Sequence, residues 1–276
     1  MNPVTEASPM VYLYAVGRAG TPLDTGFAGR GGIGDGPLRT VRAGELVALV
    51  SSVPYDSFGA DALKARMEDL AELEVLARTH HSVVEAAYEQ ATVLPMRLAT
   101  VYLDDARVTA MLNERGEEFH ALLSRLEDHV ELGVKVYADP RAAVVPAEPE
   151  QEPEMSPGRV YLRRRQTQRR GHRDSYAAAG AVAAEIPARV AGLVGGRVAH
   201  RPQQGDLAQG QGAGENIANE AYLVPAARVA DFRAALAGLG EETPGVRVEI
   251  TGPWAPYSFA TPPRSAGGDG TDGVPR

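Results

Sequence analysis

Two groups of residues in this sequence have the types and spacing to do chemistry. His80 and His81 stand close to Glu85, with His81 and Glu85 one helical turn apart, so both could reach one cation. Zinc takes a third protein ligand. His120, His129, His172 and His200 supply none at a matching spacing. The pair therefore reads as helix-surface or helix-interface residues, and no metal is expected. The second group is Gly29-Arg-Gly31-Gly32-Ile-Gly34, which fits Gly-x-Gly-x-x-Gly. A dinucleotide loop must run from a strand straight into a helix N-terminus, where amides meet pyrophosphate. Here a strand pattern follows, so the run reads as an inter-strand loop. Gly-x-Ser-x-Gly is absent. Asp104-Asp105 and Glu117-Glu118 lie where helix caps and solvated faces put carboxylates. The expectation is a protein that is not an enzyme, with no catalytic residue, no metal and no cofactor.

Recognition chemistry is better represented. Arg163, Arg164 and Arg165 begin a basic run that continues to Arg169-Arg170. It could hold an acidic partner, or it could be a solvated helix face opposite the acidic stretch upstream. RNA binding would call for interleaved aromatics, and only Tyr161 is near. Trp254, Tyr257 and Phe259 gather near the end of a chain poor in aromatic residues. Such residues anchor partners, but they also lock strands into cores. Arg163, Arg164, Arg165, Trp254, Tyr257 and Phe259 are the candidate partner-binding residues.

Composition narrows the class. The chain has 276 residues, enough for two domains, and 44% of them are hydrophobic. It has no cysteine, which removes disulfides, thiolate metal sites and a cysteine nucleophile. A net charge of -8 argues against nucleic acid. The N-terminal residues do not resemble a signal peptide, and no stretch approaches the ~18–20 apolar residues that span a bilayer. A cytoplasmic protein without lipid or nucleic-acid partners is expected.

The elements that must position these residues can be read in order. Met10–Val16 reads as a buried strand, followed by a glycine-rich stretch and strands at 38–42 and 46–53. Asp61 caps a predicted helix to Gln90, broken near 78–82. Residues 91–103 are strand-like, a helix follows to about Asp128, and Val130–Tyr137 alternates as a strand. Setting one strand aside, that order is the split β-α-β, ferredoxin-like one: an antiparallel sheet with helices on one face. The predicted layout is an α+β N-terminal domain over 1–140, an acidic Pro-rich linker over 141–158, a smaller α+β C-terminal domain over 159–260 and a disordered tail over 261–276. In the second half, a helix over 159–195 broken near Gly171, a strand at 197–201, a strand at 219–224, a helix over 226–239 and a strand at 246–251 are expected.

Several segments together resemble the gas vesicle protein L/F family. They are Tyr12–Val16, Thr79–Glu85 leading into Val93–Val101, Leu132–Tyr137, Tyr161–Arg165, Asn219–Val224 and Gly252–Phe259. Leu98-Ala99, Leu132 and Ala255 stand where the family often has Phe-Gly, Trp and Pro, changes that keep apolar character. The resemblance implies two domains, no catalytic site, and a part in gas vesicle assembly with the shell protein and other gas vesicle proteins as partners, in the cytoplasm and on the gas vesicle. Two alternatives stay open: a nucleotide- or small-molecule-binding enzyme, and a ferredoxin-like RNA-binding module that would need Tyr12, Tyr14 and Tyr137 exposed.

Overall fold

The run Met-Val-Tyr-Leu-Tyr-Ala-Val is apolar throughout and rich in β-branched and aromatic residues, which suits a strand covered on both faces. In a computed structural model it forms β1 (Met10–Arg18), buried from Met10 to Gly17. The described residues are 9–27, 29–140, 142, 157–202, 214–241 and 243–261. They fall into two compact units, one made of the described residues of 1–127 with those of 255–276, the other of those of 128–254.

In the first unit, β2 (Leu38–Ala43) and β3 (Leu46–Val53) form a hairpin, and β3 pairs with β1. Short strands β4 (Val93–Pro95) and β5 (Val101–Tyr102) lie along the other side of β1. The sheet order is β2-β3-β1-β4, all antiparallel. After β3 comes a single turn, α1 (Tyr55–Phe58), which buries Phe58, then α2 (Ala60–Glu68) and α3 (Leu70–Tyr88). A bulge between Leu13 and Ala15 puts Tyr12, Tyr14 and Ala15 on one face. That face carries Val47, Leu49 and Val53 and meets Leu76, Val83, Val84 and Ala87 of α3. Val11, Leu13, Val16, Ala48 and Val50 point the other way and are also buried. On that side stand α4 (Asp105–Glu114) and α5 (Gly116–Leu126), which bury Val108, Leu112, Phe119 and Leu123. Helices on one face were expected of this half. They cover both, because every strand position from Met10 to Val16 is apolar and needs cover.

Helix boundaries follow capping chemistry. The expected break near residues 78–82 falls instead at Asp69, between α2 and α3. The Asp69 carboxylate accepts from the Ala71 and Glu72 amides at 2.9 and 3.1 Å, satisfying two donors of a new helix. Asp104 caps α4 in the same way through the Arg107 amide at 2.8 Å.

The second unit begins with β6 (His129–Ala138), the strand expected to close the first. It pairs with β8 (Glu215–Pro225) and β9 (Val246–Trp254), and β7 (Gly196–His200) pairs with β8. Between strands come α6 (Pro157–Val190) and α7 (Val229–Leu236). The connectivity is β-α-β-β-α-β and the order β7-β8-β6-β9, antiparallel throughout. That connectivity was expected in residues 1–140. It occurs here because β6 finds its partners far downstream in the chain. The division between the units accordingly falls at 127/128, and not within 141–158. Most of that acidic segment, the Gln- and Gly-rich residues 203–213 and the residues from 262 onward lie outside the described residues.

The core of this unit lies on one face of the sheet. Leu132, Val134, Val136, Tyr222 and Val224 meet Ala179, Val182, Ile186 and Val190 of α6 and Phe232 and Leu236 of α7. No break occurs at Gly171, and α6 is continuous.

Candidate interaction site

The first unit holds a buried polar knot. The Tyr12 hydroxyl lies 3.1 Å from His80 Nδ1, and His80 Nε2 lies 3.1 Å from the Met96 carbonyl oxygen. A carbonyl can only accept, so Nε2 carries the proton, and Nδ1 accepts from Tyr12. The Tyr12 oxygen in turn accepts from the Ala99 amide at 2.8 Å. This bond holds Ala99 at φ 63°, a conformation alanine rarely adopts. Tyr14 is bonded to Ser51 at 2.8 Å and accepts from the Ile33 amide at 2.7 Å. A Cβ on Gly32 would come within 2.5 Å of the Tyr14 hydroxyl oxygen, so this approach needs glycine.

Burial decides the protonation states. It lowers the His80 pKa to about 4, against the opposing bond to Met96, and it raises both tyrosines. At neutral pH the Tyr12 hydroxyl proton and the single imidazole proton of His80 are each committed to a hydrogen bond. The glycine run and His80 therefore meet through Tyr14, whose ring stacks on the imidazole at 5.7 Å, as a packed interior. Tyr12 and Tyr14 are fully buried and Tyr137 is 6% exposed, which removes the aromatic sheet face that RNA binding required.

The aromatic segment divides between the units. Trp254 ends β9 and is 42% exposed. Ala255 is buried in the core of the first unit, and its amide donates to Glu85 Oε1 at 3.2 Å. Tyr257 packs on the same core, with its ring 6.2 Å from that of His81 and 6.4 Å from that of His80. Phe259 is buried, 5.9 Å from the Arg125 guanidinium. Of these three aromatics, Trp254 offers the most surface. His81 Nε2 lies 3.9 Å from Glu85, and no group of three or more metal-ligating side chains occurs among the described residues.

The arginine run lies in the first half of α6. Arg165, Arg169, Arg170 and Arg173 are exposed, while the helix joins the core from Ser175 onward. The side chains of Arg163 and Arg164 lie outside the described residues. A charged group unforeseen from the sequence is Glu220, buried on β8 between Arg197, which pairs with it, and the Tyr222 hydroxyl, which donates to it. The visible signal was a lone carboxylate inside Asn219-Glu-Ala-Tyr-Leu-Val224. Among the described residues, hollows of about 390 and 470 Å³ occur, one along Leu236–Glu241 and β9, the other lined by Arg18, Arg42, Glu45 and His120. Neither takes in the glycine run or the histidine pair. No helix among the described residues is long and apolar enough to cross a membrane.

The chain is thus a protein of helices and antiparallel sheets in two units. Residues 10–261 match the family described as gas vesicle synthesis protein GvpL/GvpF, and the chain belongs to that family. It is 42% identical to gas vesicle protein L of a Streptomyces species over 254 residues, 90% of this chain and 92% of that one. It is 31% identical to gas vesicle protein F of the same strain, over 90% of this chain and 98% of the relative. The fold is similar to the crystal structure of GvpF from Anabaena (TM-score 0.64, 16% identity, 95% of this chain and 100% of that one). It is also similar to GvpF from Microcystis aeruginosa (TM-score 0.61, 18% identity, 91% and 99%).

Proposed function

We propose that this chain is a non-enzymatic accessory or minor structural protein of gas vesicle assembly, which binds the hydrophobic shell protein and other vesicle proteins in the cytoplasm and at the vesicle. The observation that carries the reading is the family match across residues 10–261. A shell of apolar subunits needs its exposed strands and helices managed before assembly. The surfaces suited to that task are the exposed arginines of α6 and Trp254. Tyr257 and Phe259 serve by holding the segment that follows Trp254 against a core.

Co-purification with the shell protein tests the reading. Replacing Arg163, Arg164 and Arg165 together by Ala should reduce recovery of the shell protein severalfold, since three cations of one helix are lost. Unchanged recovery would remove the arginines from the site. Deletion of the gene should abolish or diminish buoyancy, and normal vesicles in its absence would overturn the assembly role.

A further inference from the structure

Strand β9 is the edge of the second sheet: β6 pairs with one side of it, and no described strand pairs with the other. Apart from the Val246 amide, which donates to the Thr243 carbonyl at 3.0 Å, such an edge presents unpaired amides and carbonyls to any strand that fits. Its first five residues read Val246-Arg247-Val248-Glu249-Ile250, every one half-buried. Val246, Val248 and Ile250 lie on the core face, where the hollow beside Leu236 and Leu239 opens. Arg247 and Glu249 alternate with them on the opposite face. They form an ion pair at 2.7 Å, and the Arg247 guanidinium lies 4.0 Å above the Tyr137 ring.

This pattern is complementary to itself when reversed. We infer that β9 pairs antiparallel with β9 of a second copy of this chain, centred on Val248, joining two four-stranded sheets across a two-fold axis. In that register Val248 faces its own counterpart and Val246 faces Ile250, with β-branched side chains meeting on one face. Arg247 faces the partner's Glu249, and Glu249 faces the partner's Arg247. Centring the pair on residue 247 or 249 sets like charges directly opposite, which is unfavourable. A slip of one residue brings the apolar face of one strand against the charged face of the other. Of these registers, the one centred on Val248 satisfies both faces, and its symmetry is that of an isologous dimer. The pairing is independent of the proposed binding of shell protein.

Sedimentation velocity on the full chain over a concentration series should show a reversible dimer. Arg247→Glu and Glu249→Arg should each weaken it roughly ten-fold or more, because each sets two like-charge pairs in place of two opposite ones. Mixing the two single variants should restore association, as should the double exchange within one chain. Because the chain lacks cysteine, Val248→Cys should form a disulfide-linked dimer on mild oxidation, while Val246→Cys should not. A chain that stays monomeric throughout overturns the inference, and so does a dimer indifferent to both charge reversals. Monomers whose Arg247 and Glu249 variants instead lose another vesicle protein on co-purification would give the edge to a different strand and equally overturn self-pairing.

Discussion

The two sheets share one strand order and one antiparallel sense, yet the connection from the first strand to the second is made differently in each. In the second unit it contains the long helix α6, whose apolar residues from Ala179 to Val190 cover the sheet. In the first unit the glycine-rich stretch makes the same crossing and buries Leu23, Phe27 and Ile33. A helix satisfies its own backbone, so α6 can extend beyond the sheet and expose its arginines. A glycine-rich crossing satisfies less of its own backbone and must be held from outside, here by the Tyr14 hydroxyl on the Ile33 amide. One topology thus leaves the second unit with spare helical surface and the first with a polar knot in its core.

The largest effect expected comes from opening either core. Phe58→Ala in the first unit and Phe232→Ala in the second should each cost about 3–5 kcal/mol, since both rings are fully buried. Hydrogen exchange should then show lost protection in β1 and β3 for the former and in β6 and β8 for the latter. Equal losses in both sheets for either variant would break the division into two units.

Acid should distinguish them next. The unfolded imidazole takes its proton near pH 6.5 and folded His80 near 4. Between these values the unfolded state binds more protons, so stability falls as pH drops through that window. The full loss is on the order of 3 kcal/mol. His80→Gln should be less stable than the parent at pH 7 but should lose less on acidification to pH 4. Parallel pH curves would show that His80 does not report the knot.

Smaller effects should come from the polar contacts. Glu220→Ala leaves the Tyr222 hydroxyl and Arg197 without their partner and should cost about 1–3 kcal/mol. Ser51→Ala removes one bond to Tyr14, whose hydroxyl still accepts from Ile33, and should cost about 1 kcal/mol. Urea unfolding of each measures the difference, and a reversed order would show the knot to be the more demanding network.

Much of the local structure was legible. Composition and alternation find β1, β2, β3, β6, β8 and β9, and the apolar spacing in α3 places His80, Val83 and Ala87 on one face. What alternation cannot give is the identity of a strand's neighbour. The pairing of Val134 with Glu220 and Ile250 is a long-range choice, and it moved β6 from one unit to the other. Residues 91–103 looked like one strand because the chain there is largely apolar. The structure breaks it into β4 and β5 to place the Met96 carbonyl on His80 and the Ala99 amide on Tyr12. Those partners lie far apart in sequence and leave no periodic trace. The aromatic segment showed its clustering plainly, but not that Phe259 and Trp254 belong to different units.

The return of residues 255–259 to the first unit bears on biosynthesis. The core built around β1 includes Ala255 and takes Tyr257 against it, so its last pieces leave the ribosome after the whole of residues 128–254. The unit begun first is completed last. Premature termination anywhere in the second unit would release a nascent chain with Glu85 and the surrounding apolar surface uncovered, a target for chaperones and proteases.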